Sequence, residues 1–271
     1  MRVAAVQMSS QDRVADNLAS AERLVEDAAR RGAELVCLPE GFAYLGKETG
    51  RRAVAEERGQ GQVIQAAVSS WAKRTRTYVL AGGMPISSSD PDKPYNSSLL
   101  FSPEGALVAS YDKIHLFDVA LDDGTVLAES VASTAGSEVV VATVADVRTG
   151  LSICYDIRFP ALFQLQRDAG AELCAVTAAF TETTGQAHWH VLLRARAIET
   201  QCYVVAAAQV GQHGPSRRTF GHSMVIDPWG RVLAELPREE GVVLADVDRE
   251  LLCTVRRQMP VWEHRRPLPS A

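Results

Sequence analysis

Gly150-Leu151-Ser152-Ile153-Cys154-Tyr155-Asp156-Ile157-Arg158-Phe159-Pro160 is the stretch from which the rest of the chain can be read. An apolar run ends at a cysteine, polar residues follow at once, and a proline opens the next segment. The run has the character of a buried strand, and the proline suits the first turn of a helix. A side chain at such a strand-to-helix turn is presented at the carboxyl edge of a sheet, where open α/β sheets hold ligands. Backbone N–H groups just beyond it can face a developing negative charge. Cys154 therefore stands where a nucleophile would, and the Tyr155 N–H where an oxyanion donor would. The plain alternative is a small buried cysteine closing a strand, as most free cysteines are.

On either side, strand and helix patterns alternate. Strands are expected at 3–8, 34–38, 77–81, 97–101, 138–144, 150–154, 172–178, 203–209, 222–227, 231–235 and 242–247. Helices are expected at 13–31, 61–75, 160–169, 187–201 and 248–257. In the first helix Val14, Leu18, Ala21, Val25 and Ala28 share a face, and Gly32 can end it. Residues 51–62 read as a charged surface stretch, 87–94 as a loop, and the tail from Pro260 as extended. The alternation predicts an α/β layered fold. Periodicity alone does not choose between a Rossmann-like sheet and two sheets covered by helices.

Composition narrows the classes of function. The chain has 271 residues, 28 basic and 33 acidic side chains, and a net charge of -5. It has no basic excess of the kind nucleic-acid binders carry. Its longest apolar run, Cys202 to Ala208, falls far short of the about 20 residues that span a bilayer, so no membrane partner is expected. The opening residues read as a first strand, not as a signal peptide. Five cysteines, widely spaced and without a CxxC, suit reduced thiols in a cytoplasmic compartment.

A thiol with its ordinary pKa of about 8.5 needs a base or a nearby cation to act as a nucleophile. Two segments offer them. Leu35-Val36-Cys37-Leu38-Pro39-Glu40 reads as a buried strand ending in a carboxylate, and Tyr111-Asp112-Lys113-Ile114-His115-Leu116-Phe117 sets one lysine among apolar neighbours. Lysines are rarely buried without a partner. Each taken alone reads more readily as a solvated loop acid or a surface lysine.

Together the three segments resemble the nitrilase, or carbon–nitrogen hydrolase, superfamily, and the resemblance runs from the first strand to about Pro267. It implies a four-layer αββα sandwich of a single domain, 1–257, followed by a C-terminal extension, 258–271. It also implies a catalytic triad of Glu40, Lys113 and Cys154, with Glu129 in the position of a further family glutamate. Tyr155, Arg158, Phe180 and Thr181 are expected to line the substrate pocket, and a homodimer or higher homo-oligomer is implied. The segments Thr184–Trp189, Arg194–Val204 and Gly221–Gly230 are similar to those of one branch, the deaminated glutathione amidases, whose relatives the ω-amidases share much of the pattern. N-carbamoyl amino acid hydrolysis and a catalytically silent scaffold are the competing readings.

The implied chemistry is hydrolysis of a linear amide of a small, carboxylate-bearing molecule. Glu40 takes the thiol proton, Cys154 attacks, and Lys113 with the Tyr155 N–H holds the oxyanion. Lys113 is also expected to favour the thiolate. No metal or organic cofactor is called for. Arg158 is expected either to bind a substrate carboxylate or to pair with Asp156; Arg217 and Arg218 are further options for a second carboxylate. Three patterns are decoys. Gly221-His222-Ser223-Met224-Val225 lacks the final glycine of a nucleophile elbow and leads into a hairpin turn at Asp227–Gly230. His188 and His190 face different ways on a helix, with no third metal ligand evident. Gly82-Gly83 reads as a strand-end turn.

Overall fold

The computed structural model describes residues 1–120, 126–215 and 217–266. The first half of the chain forms β1 (Arg2–Met8), β2 (Leu35–Cys37), β3 (Tyr78–Ile86), β4 (Tyr95–Phe101) and β5 (Leu107–Asp112), with α1 (Val14–Arg30) and α2 (Ile64–Thr75) between them. A small antiparallel pair follows, β6 (Asp118–Ala120) with β7 (Val126–Ala128). The second half forms β8 (Val141–Val144), β9 (Val147–Ile153), β10 (Leu173–Ala178), β11 (Tyr203–His213), β12 (Arg217–Phe220), β13 (Ser223–Ile226) and β14 (Val232–Leu236). Its helices are α3 (Pro160–Asp168) and α4 (Glu182–Thr200). Then come β15 (Gly241–Asp246) and α5 (Arg249–Gln258).

These strands make two sheets that meet at one seam. In the first, the order is β5-β4-β3-β2-β1, and β15 runs antiparallel along the other side of β1. In the second, β8-β9-β10-β11 continues into β13 and β14. The seam is the parallel pairing of Gln7 and Met8, at the carboxyl end of β1, with Ala208 and Gln209 in the middle of β11.

Side-chain alternation shows what each face of the first sheet covers. Ala4, Val6, Met8, Val36, Leu38, Val79 and Ala81 pack with Leu24, Val25, Val68 and Trp71 of α1 and α2. Their neighbours Val3, Ala5, Leu35, Cys37 and Leu80 join the core of the second sheet, which includes Trp189 and Leu193 of α4. Strands apolar on both faces are what a sheet buried on both sides requires. The layers therefore run helix, sheet, sheet, helix, which is the expected αββα sandwich and excludes a single Rossmann-like sheet. Gly82 marks how closely the two sheets approach: a Cβ there would lie 2.5 Å from the Thr177 Cβ.

Several boundaries differ from expectation for identifiable reasons. β3 does not stop at residue 81. It continues to Ile86 through a bulge between Ala81 and Met84, and Gly83 at φ +55° lies inside that bulge. Glycine supplies the positive φ there at no steric cost. α4 begins at Glu182, five residues early, because Gly185 is not a breaker: it leaves room for Phe220, whose Cβ would be 2.3 Å from a Cβ at that position. β5, β6, β7 and β12 had no clear alternation. The tail folds back onto its own chain, where Trp262 Nε1 donates to Asp168 Oδ1 (2.9 Å) beneath the Arg265 guanidinium. The last part of the expected extension, 267–271, lies outside the described residues.

Candidate active site

Each site residue follows the carboxyl end of a strand. β9 ends at Ile153, and Cys154 opens a 3₁₀ turn, Cys154–Arg158. Cys154 holds φ +51°, a left-handed conformation uncommon outside glycine. That bend turns the thiol out of the strand direction. Asp156 holds the bend in place: it is fully buried and accepts from the Ile153 N–H (2.9 Å), the Tyr111 hydroxyl (2.7 Å) and the His115 N–H (3.1 Å). His115 Nδ1 lies 2.7 Å from the same carboxylate. The cysteine turn is thus fastened to the segment that carries the lysine.

Lys113 follows β5 and is 1% exposed. Its N–H donates to the Asn96 carbonyl (2.9 Å), and its own carbonyl accepts from Gly136 (2.8 Å). Its Nζ donates to Glu40 Oε1 (3.0 Å) and Glu129 Oε2 (2.7 Å). Glu40 follows β2, where the Leu38 N–H bonds the Leu80 carbonyl (2.9 Å) and the Gly41 N–H the Gly83 carbonyl (2.9 Å). Glu40 Oε2 accepts from the Ala179 N–H (2.9 Å), at the end of β10.

Asn96, on β4, joins the two acids. Its Nδ2 donates to Glu40 Oε1 (2.9 Å) and Glu129 Oε1 (2.8 Å). Gln209 braces Glu40 from the seam, donating to its main-chain carbonyl (3.1 Å). Glu129 also accepts from the Phe117 N–H (2.8 Å), which holds the loop that closes over the lysine.

The electrostatics follow from burial and from this pairing. Burial pushes Glu40 up, but the Lys113 charge, helped by Arg217 and by the bond from Cys154, holds the carboxyl below its ordinary 4.5. Glu129 behaves likewise, brought down to about 2 by Lys113 and more weakly by Arg51 against the same burial cost. Burial works against the Lys113 charge, and the two carboxylates overcome it, so the ammonium is held well above its usual range. Cys154 goes the other way. Burial, reinforced by the Glu40 charge, pushes the thiol well up, and Lys113 offsets only part of this. Lys113 does favour the thiolate, as expected, but burial and Glu40 outweigh it, which leaves the thiol proton for Glu40 to take.

The structure brings Glu40, Lys113, Glu129 and Cys154 to one narrow cleft, shared with Leu45, Glu48, Arg51, Phe117 and Arg217. A recess on the other side of Cys154 is lined by Tyr155, Phe180, Thr181 and Thr184. Arg158 lines neither. Its guanidinium sits over the rings of Phe180 and Tyr155, at 5.0 and 5.7 Å from their centroids, and bonds His188 Nδ1 (3.2 Å). Asp156, its expected internal partner, is occupied by Tyr111 and His115. Arg51 is corrected too: it belongs to the stretch read as surface, yet is 8% exposed.

Asn96 and Gln209 escaped the sequence reading, and Asp156 entered it only as a partner for Arg158. Each sits in a strand or turn whose polarity alone carries no sign of its partner. The metal decoy is also partly revised. His188 turns to Arg158, but His190, His222 and Glu235 bring their ligand atoms within 4.8 Å of one another. These three could hold a metal ion. Glu235 already accepts from both rings, tying α4 to β14, and none of the three lines the Cys154 cleft.

A helix–sheet–sheet–helix sandwich with an acid, a lysine and a strand-end cysteine in one cleft defines a class, and the comparisons agree with it. Residues 2–257 match the carbon–nitrogen hydrolase family, and the chain belongs to that family, whose members hydrolyse non-peptide carbon–nitrogen bonds. Within it, the chain is 44% identical over 269 residues to the deaminated glutathione amidase of Synechocystis, covering 97% of each. It is 41% identical to the human protein of that name, covering 98% of this chain and 82% of the human one. Among solved structures, C. elegans NitFhit superposes with a TM-score of 0.91 at 39% identity; the match covers 98% of this chain and 65% of that protein. Saccharomyces cerevisiae Nit3 superposes with a TM-score of 0.87 at 30% identity, covering 96% of this chain and 94% of Nit3. Among the described residues no helix is long and apolar enough to cross a membrane.

Proposed function

We propose that the protein is a thiol amidase that hydrolyses the linear amide of a small carboxylate-bearing molecule, with deaminated glutathione the first substrate to test. The observation that carries this is the Glu40 carboxylate held by the Lys113 ammonium at 3.0 Å in the same narrow cleft as the Cys154 thiol, with the carboxyl shifted towards its ionised form and the thiol towards its protonated form. A general base needs a proton to take, and a neutral thiol supplies it. Glu40 removes that proton as sulfur attacks the carbonyl carbon. Lys113 and the Tyr155 N–H, near the start of its turn, hold the oxyanion. Collapse breaks the C–N bond, the proton held by Glu40 goes to the leaving nitrogen, and ammonia or an amine departs from the thioester. Water then attacks, Glu40 takes its proton, and the acid leaves with the thiol restored. Glu129 keeps Lys113 charged and oriented throughout. Tyr155, Phe180 and Thr181 shape the recess beside the sulfur.

The names of the relatives support the amide class. Five free thiols suit a reducing, cytoplasmic compartment. Exposed Val191 and Ile198 on α4, with Trp229 and Leu233 nearby on the β13–β14 hairpin, support a homo-oligomer joined through that face.

The test is ammonia release from deaminated glutathione, α-ketoglutaramate, an N-carbamoyl amino acid and a simple nitrile, combined with acid quenching and mass spectrometry of the Cys154 peptide. The expected result is amide turnover with an acyl group on Cys154, both absent in Cys154→Ala. Undiminished turnover in that variant would end the reading.

A further inference from the structure

Among the described residues, two arginines in the Cys154 cleft have no adequate partner. Arg51 follows the first 3₁₀ turn after β2, and its side chain is nine-tenths buried. Among the described residues its Nε and Nη2 have no hydrogen-bond partner. Arg217 opens β12, and its Nε is likewise buried without a partner. Among the described residues the acid within reach is Glu48, which serves both. It lies 3.7 Å from Arg51 Nε and 3.4 Å from Arg217 Nη1, both longer than the roughly 2.7–2.9 Å of a formed charge-assisted bond. Two guanidinium groups against one carboxylate leave one positive charge in excess.

Burying an unpaired cation is costly, and a fold keeps one where a ligand completes it. The inner acids do not complete it. Arg51 bears on Glu129, and Arg217 on Glu40, only as distant charges. Both inner carboxylates are already bonded to Lys113 and Asn96. Arg51 and Arg217 line the same cleft as the thiol. A planar carboxylate offers two acceptor oxygens and one negative charge, which is what these groups lack.

We propose that Arg51 and Arg217 form a carboxylate-binding subsite, so that preferred substrates carry a carboxylate at the end remote from the scissile amide. This rests on the amidase reading for its catalytic arm, but the binding arm does not. It also moves the carboxylate role from Arg158 to residues on the opposite flank of the cleft.

The catalytic arm compares kcat/KM for succinamate with butyramide, and for glutaramate with pentanamide: pairs of similar length that differ in the terminal carboxylate. Arg51→Met should lower the preference for the charged member at least about tenfold, mainly through KM. Arg51→Lys, which keeps the charge without the fork, should recover part of it. Arg217→Met should act in the same direction. A preference unchanged within about twofold, because both members fall together or neither does, overturns the proposal.

The binding arm is calorimetry of glutarate with Cys154→Ala, and with the same variant also carrying Arg51→Met. Binding by the first and a loss of about tenfold or more in the second is expected. Equal affinity in both, or no binding to either, refutes the subsite. If no amide is turned over at all, the amidase reading fails while the calorimetry still decides the subsite.

Discussion

The Tyr111 hydroxyl donates to Asp156 Oδ2 at 2.7 Å, and this bond joins the strand leading to the lysine with the turn that starts at the cysteine. Burial and the Asp156 charge both push the Tyr111 phenol well above its ordinary range, so it remains a donor. Tyr111→Phe should cost about 1–3 kcal/mol of stability, because it takes a bond from a buried carboxylate. It should also lower kcat more than it raises KM, since what loosens is the spacing of Lys113 and Cys154. Thermal unfolding and steady-state kinetics check both. A variant that loses stability but keeps kcat would reduce Tyr111 to a packing role.

Because the Glu40 carboxyl lies below its ordinary 4.5 and the Cys154 thiol well above its own 9.0, the pH profile has a predictable shape. As pH falls below 4.5, protonation removes the base and kcat/KM declines. Through neutrality the profile should be level, with no rising limb near the usual thiol range. Alkylation gives a second readout. Iodoacetamide should reach Cys154 and the exposed Cys253, and leave the buried Cys37, Cys174 and Cys202 untouched in the native protein. Glu40→Gln should slow alkylation of Cys154 and not of Cys253; equal slowing of both would argue against Glu40 as the base.

The ion cluster also links stability to pH. Glu129 falls from 4.5 to about 2 on folding, so its contribution is full above 4.5 and is lost as pH drops towards 2. Lys113 is raised from 10.5, so its contribution is full below 10.5 and is lost only as pH rises through its higher folded value. Glu129→Gln leaves Lys113 with half its partners and should cost about 3 kcal/mol within that window. In urea titrations the gap between wild type and variant should close as pH falls from 4.5 to 2. A constant gap would mean the cost is steric.

Gly83 permits Glu40 to stand where it does. A Cβ at position 83 would lie 2.6 Å from the Glu40 Cγ and 2.9 Å from its Cα, on a backbone at φ +55°. Gly83→Ala should therefore cost about 2 kcal/mol or more and depress kcat at least about tenfold. Normal kcat with lowered Tm would show that Glu40 can shift without penalty.

Val191 and Ile198 are 67% and 48% exposed and lie seven residues apart on one face of α4. Placing Glu at both should lower the mass seen by light scattering if that face joins copies of the chain. An unchanged oligomer would place the contact elsewhere.

The sequence made the reactive groups legible and left their supports hidden. Cys154, Glu40 and Lys113 each stand out because a polar or reactive side chain interrupts an apolar run, a local signal. Asp156 and Asn96 are polar residues among polar neighbours, and their importance comes from partners such as Tyr111, His115 and Glu129 that only folding brings near. Arg51 shows the limit most clearly. A charged stretch reads as solvated, but one arginine within it turns inward to the cleft, and composition does not reveal which one. The two-sheet architecture is likewise absent from periodicity, since the pairing of Gln7 with Ala208 spans most of the chain.

That long-range seam has a consequence for the newly made chain. Glu40 and Lys113 hang from the first sheet and Cys154 from the second, and β15, which flanks β1, is the last strand to be synthesised. A nascent chain carries the cysteine for nearly ninety residues before that strand emerges. The groups of the cleft are thus far apart in the chain, and it is the pairing of β1 with β11 that brings the two sheets that carry them together. The cluster of acid, cation and thiol is therefore a property of the assembled sandwich and of no single stretch of the chain.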